Sequence, residues 1–345
     1  MEKKPRTDQK AKPTKPSKSI TEKWHKVATK YPEANFLQSP GYAEMNRILG
    51  NKVIVEDFDD NGWMLAIVRD AKRGRYLEVP CGPLIDWHNE EMVQKAITRL
   101  YDLARTEKCV FVRIRPQLTM STDNLKMLEK NGLKPSPMHL AAEHTVIIDL
   151  NESEEKLLAN MRRQTRYEVR RATKLRIVVE KSNSEELFRE FHEVQLATAK
   201  RQGFVPPDLN TLMAERKAFG DKIQIYVART ETNDAIAYGL VIGDSLEGDY
   251  YEAASTDLNR KLPGAYALLW QVMRELKKAG YGRFNLWGIA PKNQPNHRYA
   301  GVTTFKTGFG GDVVEYVPAH DLVISKVGYL KDLVVEKARK KRRHL

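Results

Sequence analysis

The chain has 345 residues, 30% of them charged, with a net charge of +13 at pH 7. That length allows one large or two ordinary domains. The 41% hydrophobic content is enough for a packed core, and no apolar run approaches the roughly 20 residues that a membrane helix needs. The charged first residues have no apolar segment behind them, so no secretory signal is expected. Cys81 and Cys109 form neither a metal nor a disulfide pattern, so a reducing cytoplasm is the expected setting. Most of the excess charge is terminal. Residues 1–18 hold seven basic side chains against two acidic ones, and 337–345 hold six basic and none acidic, which leaves the body nearly neutral. The Pro/Lys-rich head, 1–19, is expected to be disordered. The basic tail, 337–345, suits a nucleic acid, an anionic membrane surface, or merely solvent.

In chain order, 20–30 reads as a helix with Trp24 and Val27 on one face, and 36–40 as an extended lead into a second helix, 41–49. Residues 52–58 and 63–69 read as paired strands across an Asp-Asp-Asn-Gly turn, and 76–80 as a further strand. A helix over 90–106, a strand over 109–115 stopped by Pro116, a helix over 122–131 and a strand over 144–150 complete the first set. The pattern then restarts: helix 154–174, strand 177–180, helices 184–201 and 208–219, and strands 224–229, 235–242 and 249–255. Helix 265–278 follows, with Leu268, Leu269, Val272, Met273 and Leu276 at helical spacing, and then strand 284–289. Two similar sets divided near Leu150 suggest a duplicated α+β fold, with domains over 20–150 and 151–317. No heptad insertion interrupts the helices around 199–219, so no coiled-coil arm is expected.

The unit over 249–311 is the one most suggestive of a site, because a βαβ-like unit carries ligands at its strand ends. Lys306 is its one cation in the segment FKTGFGG, among neighbours too small or apolar to neutralise it, although such a lysine is commonly a snorkelling surface residue. Tyr250 and Tyr251 alternate on their strand, so only one is expected to face a cleft. Arg163, Arg166 and Arg170 share one face of a helix, where guanidiniums clamp phosphate oxygens; a solvated basic face is the plain alternative. The loop 261–265 ahead of a helix offers backbone N–H groups to an anion, and an ordinary loop explains it as well. No HExxH, GxSxG, Walker or dinucleotide motif occurs and the histidines lack metal spacing, so neither metal nor cofactor is expected.

Taken as a set, FLQSPGY (36–42), VPCGPLID (79–86), NMRRQTRYEVRRATK (160–174), YYEAASTDLNRKLPGAYALLW (250–270), FNLWGI (284–289) and FKTGFGGDVVEY (305–316) resemble the Fem-type (FemABX) nonribosomal peptidyltransferases, in their compact, arm-free form. The resemblance implies two tandem GNAT-like domains, with 318–336 returning to the first. It implies transfer of an amino acid from aminoacyl-tRNA to the side-chain amine of a peptidoglycan precursor, either UDP-MurNAc-pentapeptide or a lipid-linked form, by a cytoplasmic monomer able to touch the membrane peripherally. By the same resemblance Lys306, beside Phe305, stabilises charge on the reacting carbonyl, and Arg166 and Arg170 meet precursor phosphates, with Arg163 beside them on the same helical face. Tyr250 matches the first tyrosine of a tyrosine-x-tyrosine strand, with Glu252 in place of the second. Arg47 stands next to the position of a precursor-binding lysine, and Arg115 replaces an aspartate at the substrate. A coenzyme-A-dependent N-acyltransferase and a non-catalytic nucleic-acid-binding protein are the rival readings.

Overall fold

The computed structural model describes residues 18–334, apart from 60, 72, 73, 293, 295, 296, 298 and 332. The two basic ends therefore lie outside the described residues, except that 18 and 19 already belong to the first helix. The first half runs α1 (Lys18–Lys30), α2 (Pro40–Ile48), β1 (Lys52–Asp57), β2 (Gly62–Ala71), β3 (Gly74–Pro80), β4 (Leu84–Ile85), α3 (Glu90–Thr106), β5 (Cys109–Arg115), α4 (Thr122–Lys130) and β6 (Leu133–Pro135). The second runs β7 (His144–Asp149), α5 (Glu154–Asn160), α6 (Arg163–Lys174), β8 (Val178–Ser182), α7 (Glu185–Gln202), α8 (Leu209–Phe219), β9 (Ile223–Arg229), β10 (Ala235–Asp244) and β11 (Glu247–Ser255). It closes with α9 (Gly264–Lys278), β12 (Arg283–Asn285), α10 (Ala300–Thr307), β13 (Asp312–Glu315) and β14 (His320–Val323).

Local chemistry sets most of these bounds. Asn89, Ser121, Ser184 and Asp208 each accept a backbone N–H at the start of α3, α4, α7 and α8, and Gly203 ends α7 at φ 73°. Two expectations fail here, one for a tertiary reason and one for a local one. The helix expected over 154–174 is broken at Met161 and Arg162, both in extended conformation. The break lets Met161 bury its side chain and lets the Arg162 N–H reach the Gly308 carbonyl at 2.8 Å. Residues 36–38 form a 3-10 turn rather than an extended lead, because the Asn35 side chain accepts the Leu37 N–H.

Two mixed sheets result, in the orders β1-β2-β3-β5-β14-β6, with β4 on β2, and β13-β7-β12-β11-β10-β9-β8. The strand expected to close the first set, β7, pairs with β12 and β13 instead. Its Val146 and Ile148 are buried in the core beneath α9, so the chain crosses between sheets before 144 rather than near Leu150. Near the C-terminus the chain crosses back, and β14 pairs antiparallel with β5 and β6. A third cluster joins the halves: Phe36, Leu37 and Cys81 pack with Phe188, Phe219, Tyr238 and Leu240. Polar ties reinforce it. Trp24 Nε1 donates to Asp244 at 2.6 Å, and Asn35 Nδ2 donates to Glu247 at 2.8 Å. Among the described residues no helix is long and apolar enough to cross a membrane.

Candidate active site

Strands β11 and β12 run parallel but stay paired only from Glu247–Asp249 against Arg283–Asn285. Beyond that point they diverge. The expected strand over 284–289 stops at Asn285, whose side chain accepts the Trp287 N–H at 2.9 Å, and Trp287 turns the chain at φ 61°. Residues 286–289 then follow β7, with Leu286 N–H on the Val146 carbonyl and Ile289 N–H on that of His144. The rest of β11 keeps a ladder partner only on the β10 side. A wedge opens between them, and α10 fills its mouth. No periodic signal marks this helix in the sequence: it has a weak apolar face and buries little besides Lys306.

Lys306, in the last turn of α10, is 8% exposed. Its Nζ donates to the Gly288 carbonyl at 2.9 Å and lies 5.8 Å from the Tyr250 ring centre. Burial without a carboxylate partner pulls its pKa down to about 7. Phe305 packs edge-on against Tyr266 and Phe309, at 5.0 and 5.3 Å. Beside this cluster is a cavity of about 650 Å³ walled by Lys306, Phe305, Tyr266, Phe204 and the 250–255 segment of β11. Both Tyr250 and Tyr251 line it, against the expectation that only one faces a cleft. The cavity follows the open edge of β11, and Tyr251 is the extra residue of a bulge, since Leu240 pairs with Glu252 while Val241 pairs with Tyr250.

Sequence reasoning singled out Glu252 only as a departure and missed its surroundings. Gln195 Nε2 donates to Glu252, and Glu215 is buried behind them at 3% exposure. Burial raises the Glu252 pKa to about 7, and burial together with the Glu252 charge holds Glu215 well above the usual carboxylate range. A signal was present: Gln195 follows Phe191 by one turn, and Glu215 sits between Leu212 and Phe219, each a polar residue on an apolar stripe.

The basic helix is joined to the lysine from behind. Arg162 donates to the Thr304 carbonyl, and Gly308 sits so close that a Cβ there would overlap Thr165 Oγ1 and Arg162 Nη2. The three arginines expected to act together do not share one fate. Arg163 and Arg170 are exposed, with no ion pair among the described residues. Arg166 is half-buried and donates to the carbonyls of Ala159 and Met161, closing the break between α5 and α6. The loop 261–265 is partly spent as well, since the Ala265 N–H is donated to Asn259 at 3.1 Å.

Two further expected substrate contacts lie elsewhere. Arg115 is 1% exposed; its guanidinium donates to Gln117 and Cys81 and lies 5.1 Å from the Tyr316 ring centre. Placed on β5 where β3 and β14 flank it, it presents nothing to a ligand, which corrects the expectation drawn for it. Arg47 is exposed on α2, 3.6 Å from Glu44, and is not part of the Lys306 cavity.

Comparison with known proteins bears on the family and the fold. The FemAB family profile matches residues 20–238 and 230–337. Aminoacyltransferase FemA of Staphylococcus epidermidis is 21% identical over 74% of this chain and 81% of its own length. Lipid II:glycine glycyltransferase of Staphylococcus aureus is 25% identical over 55% of this chain and 49% of its own. In three dimensions the crystal structure of FemX superposes with a TM-score of 0.81 at 16% identity, covering 92% of this chain and 98% of that one. A tandem GNAT protein from the clavulanic acid biosynthesis pathway gives 0.54 at 10% identity, covering 90% and 96%. The chain is thus a transferase enzyme of two tandem GNAT-like domains, and it belongs to the FemAB family.

Proposed function

We propose that the protein moves an amino acid from aminoacyl-tRNA to the side-chain amine of a peptidoglycan precursor stem peptide, on the cytoplasmic side. The observation that carries this reading is Lys306, a buried cation with no anionic partner among the described residues, at the wall of a cavity large enough for an aminoacyl group. An aminoacyl ester is already activated, so the protein has to orient an amine against its carbonyl and steady the oxygen as it becomes negative. A lysine poised between its two protonation states meets that need: an arriving oxyanion favours the charged form, which burial alone disfavours. The paired glutamates give the same cavity an acid/base group. Arg163 and Arg170, exposed on the helix docked behind Lys306, suit the phosphates of UDP-MurNAc-pentapeptide or of its lipid-linked form. FemA is by name an aminoacyltransferase, and the Staphylococcus aureus relative is by name a glycyltransferase acting on lipid II. The protein acts as a monomer in this reading, and the basic tail supplies long-range attraction to tRNA or to an anionic membrane.

The reading is tested by incubating the protein with pools of charged tRNA and each precursor, then reading product masses. A precursor heavier by one aminoacyl residue is expected, only when both substrates are present. Transfer from an acyl-coenzyme A instead would replace the donor.

A further inference from the structure

The wedge contains a second ionisable centre besides Lys306. Glu252 stands on the wall of the same cavity because the bulge at Tyr251 breaks the alternation of β11. Behind it the packing is polar but incomplete. Gln195 of α7 donates to its carboxyl, yet Gln195 Oε1 and Glu215 Oε2 are both buried without any hydrogen-bond partner. Among the described residues no lysine or arginine forms an ion pair with either glutamate. The groups that bear on the pair are Gln195 from α7, Glu215 from α8, Tyr42 from α2 and Tyr251 from its own strand. None of these is a cation, so nothing neutralises both carboxyls, and the charge of Glu252 together with burial keeps Glu215 protonated.

Resting on the proposed transfer, we propose that Glu252 is the general base of this reaction, taking the proton of the attacking amine while Lys306 holds the carbonyl oxygen. The amine nitrogen forms its bond to the ester carbonyl carbon and loses one proton to Glu252. The carbon–oxygen bond to the ribose then breaks, and the leaving oxygen takes that proton back from Glu252. Ester and amine become amide and alcohol, and the carboxylate is regenerated without any other reactant. A base is best matched when its proton affinity lies near the working pH, and burial brings Glu252 to about 7. Glu215 remains the protonated member, closing the pair on its buried side.

The experiment has two arms, both on the full-length wild type, Glu252→Gln and Glu215→Gln. In the first, the carboxylic C=O infrared band is followed against pH, with and without methylamine as the amine probe. The wild type should show a carboxyl titrating near pH 7, with methylamine lowering its midpoint, and Glu252→Gln should lose both features. In the second, kcat and KM for transfer from charged tRNA are measured across pH. Glu252→Gln should lose about 100-fold or more in kcat with KM little changed, together with the acid limb of the profile, whereas Glu215→Gln, which keeps a neutral group at that position, should leave the limb in place. An unchanged acid limb and kcat in Glu252→Gln would overturn the assignment, as would a wild type with no carboxyl titrating near neutrality. A wild type that transfers nothing marks the failure of the donor and acceptor reading. The methylamine response then decides the carboxyl's role by itself: a midpoint that does not move in the wild type overturns it.

Discussion

Lys306 Nζ donates to the Gly288 carbonyl at 2.9 Å, across the mouth of the wedge between β11 and β12. Gly288 is there because the chain leaves β12 to follow β7, so the divergence of the strands and the seat of the lysine are one structural event. With a carbonyl and an aromatic face for company, the ammonium is oriented but not neutralised.

Replacing Lys306 by Ala should lower turnover about 100-fold or more while the protein stays folded, the usual scale for losing an oxyanion-stabilising donor. In the wild type the charged form is lost as pH rises through about 7, so kcat should fall on the alkaline side, unless bound substrate holds the proton and moves the fall higher. Steady-state kinetics across pH checks both, and turnover equal to wild type in Lys306→Ala would remove the lysine from the chemistry.

The same burial has a consequence for stability. Lys306 titrates at about 7 in the fold against 10.5 in an unfolded chain, so between those values the unfolded state binds the extra proton and rising pH favours the fold. Below about 7 the full penalty of a buried cation applies. Lys306→Met should therefore gain stability relative to wild type most strongly at pH 6.5, by on the order of 3–5 kcal/mol less the cost of an unpaired Gly288 carbonyl. The gain should shrink steadily toward pH 10. Urea unfolding of both proteins at pH 6.5, 8 and 9.5 measures it, and a difference that does not vary with pH would count against a depressed lysine.

Arg163 and Arg170 should separate from Arg166. Changing either exposed arginine to Ala is expected to weaken binding of a phosphate-bearing precursor by about 1–3 kcal/mol, with the melting temperature unmoved. Arg166→Ala should instead lower the melting temperature, because it strips the carbonyls of Ala159 and Met161 of their donor. Calorimetry with UDP-MurNAc-pentapeptide beside thermal unfolding distinguishes the two patterns. Identical precursor affinity in all three would leave the helix as a solvated face.

Gly308→Ala tests the docking of the basic helix on the lysine. The new methyl would overlap Thr165 and Arg162, which have no slack while Arg162 is tied to Thr304. A loss of roughly 1–3 kcal/mol in stability is expected from overpacking, with a larger loss in kcat than in precursor affinity, since the displaced element is α10. Wild-type stability and kcat in this variant would show the junction to be plastic.

Sequence alone determined the elements whose signals are local. Helix α3 lies where apolar spacing and the Asn89 cap put it, the β1–β2 hairpin follows its turn, and α9 carries its apolar stripe from Leu268 to Leu276. The six short motifs together were enough to name the family, and the FKTGFGG segment was enough to pick out Lys306. What the sequence could not decide was anything that depends on a partner distant in the chain. The break at Met161 and Arg162 has no proline or glycine to announce it; it exists because Gly308 offers a carbonyl to Arg162. Arg115 looks like any cation until Cys81, Gln117 and Tyr316 close around its guanidinium. Glu215 and Glu252 are 37 positions apart in the sequence, and only the packing of α7 and α8 against a bulged β11 makes them neighbours. Periodicity reports which face of an element is buried, whereas the charge state of a buried group depends on what is buried opposite it, and that is settled by tertiary structure.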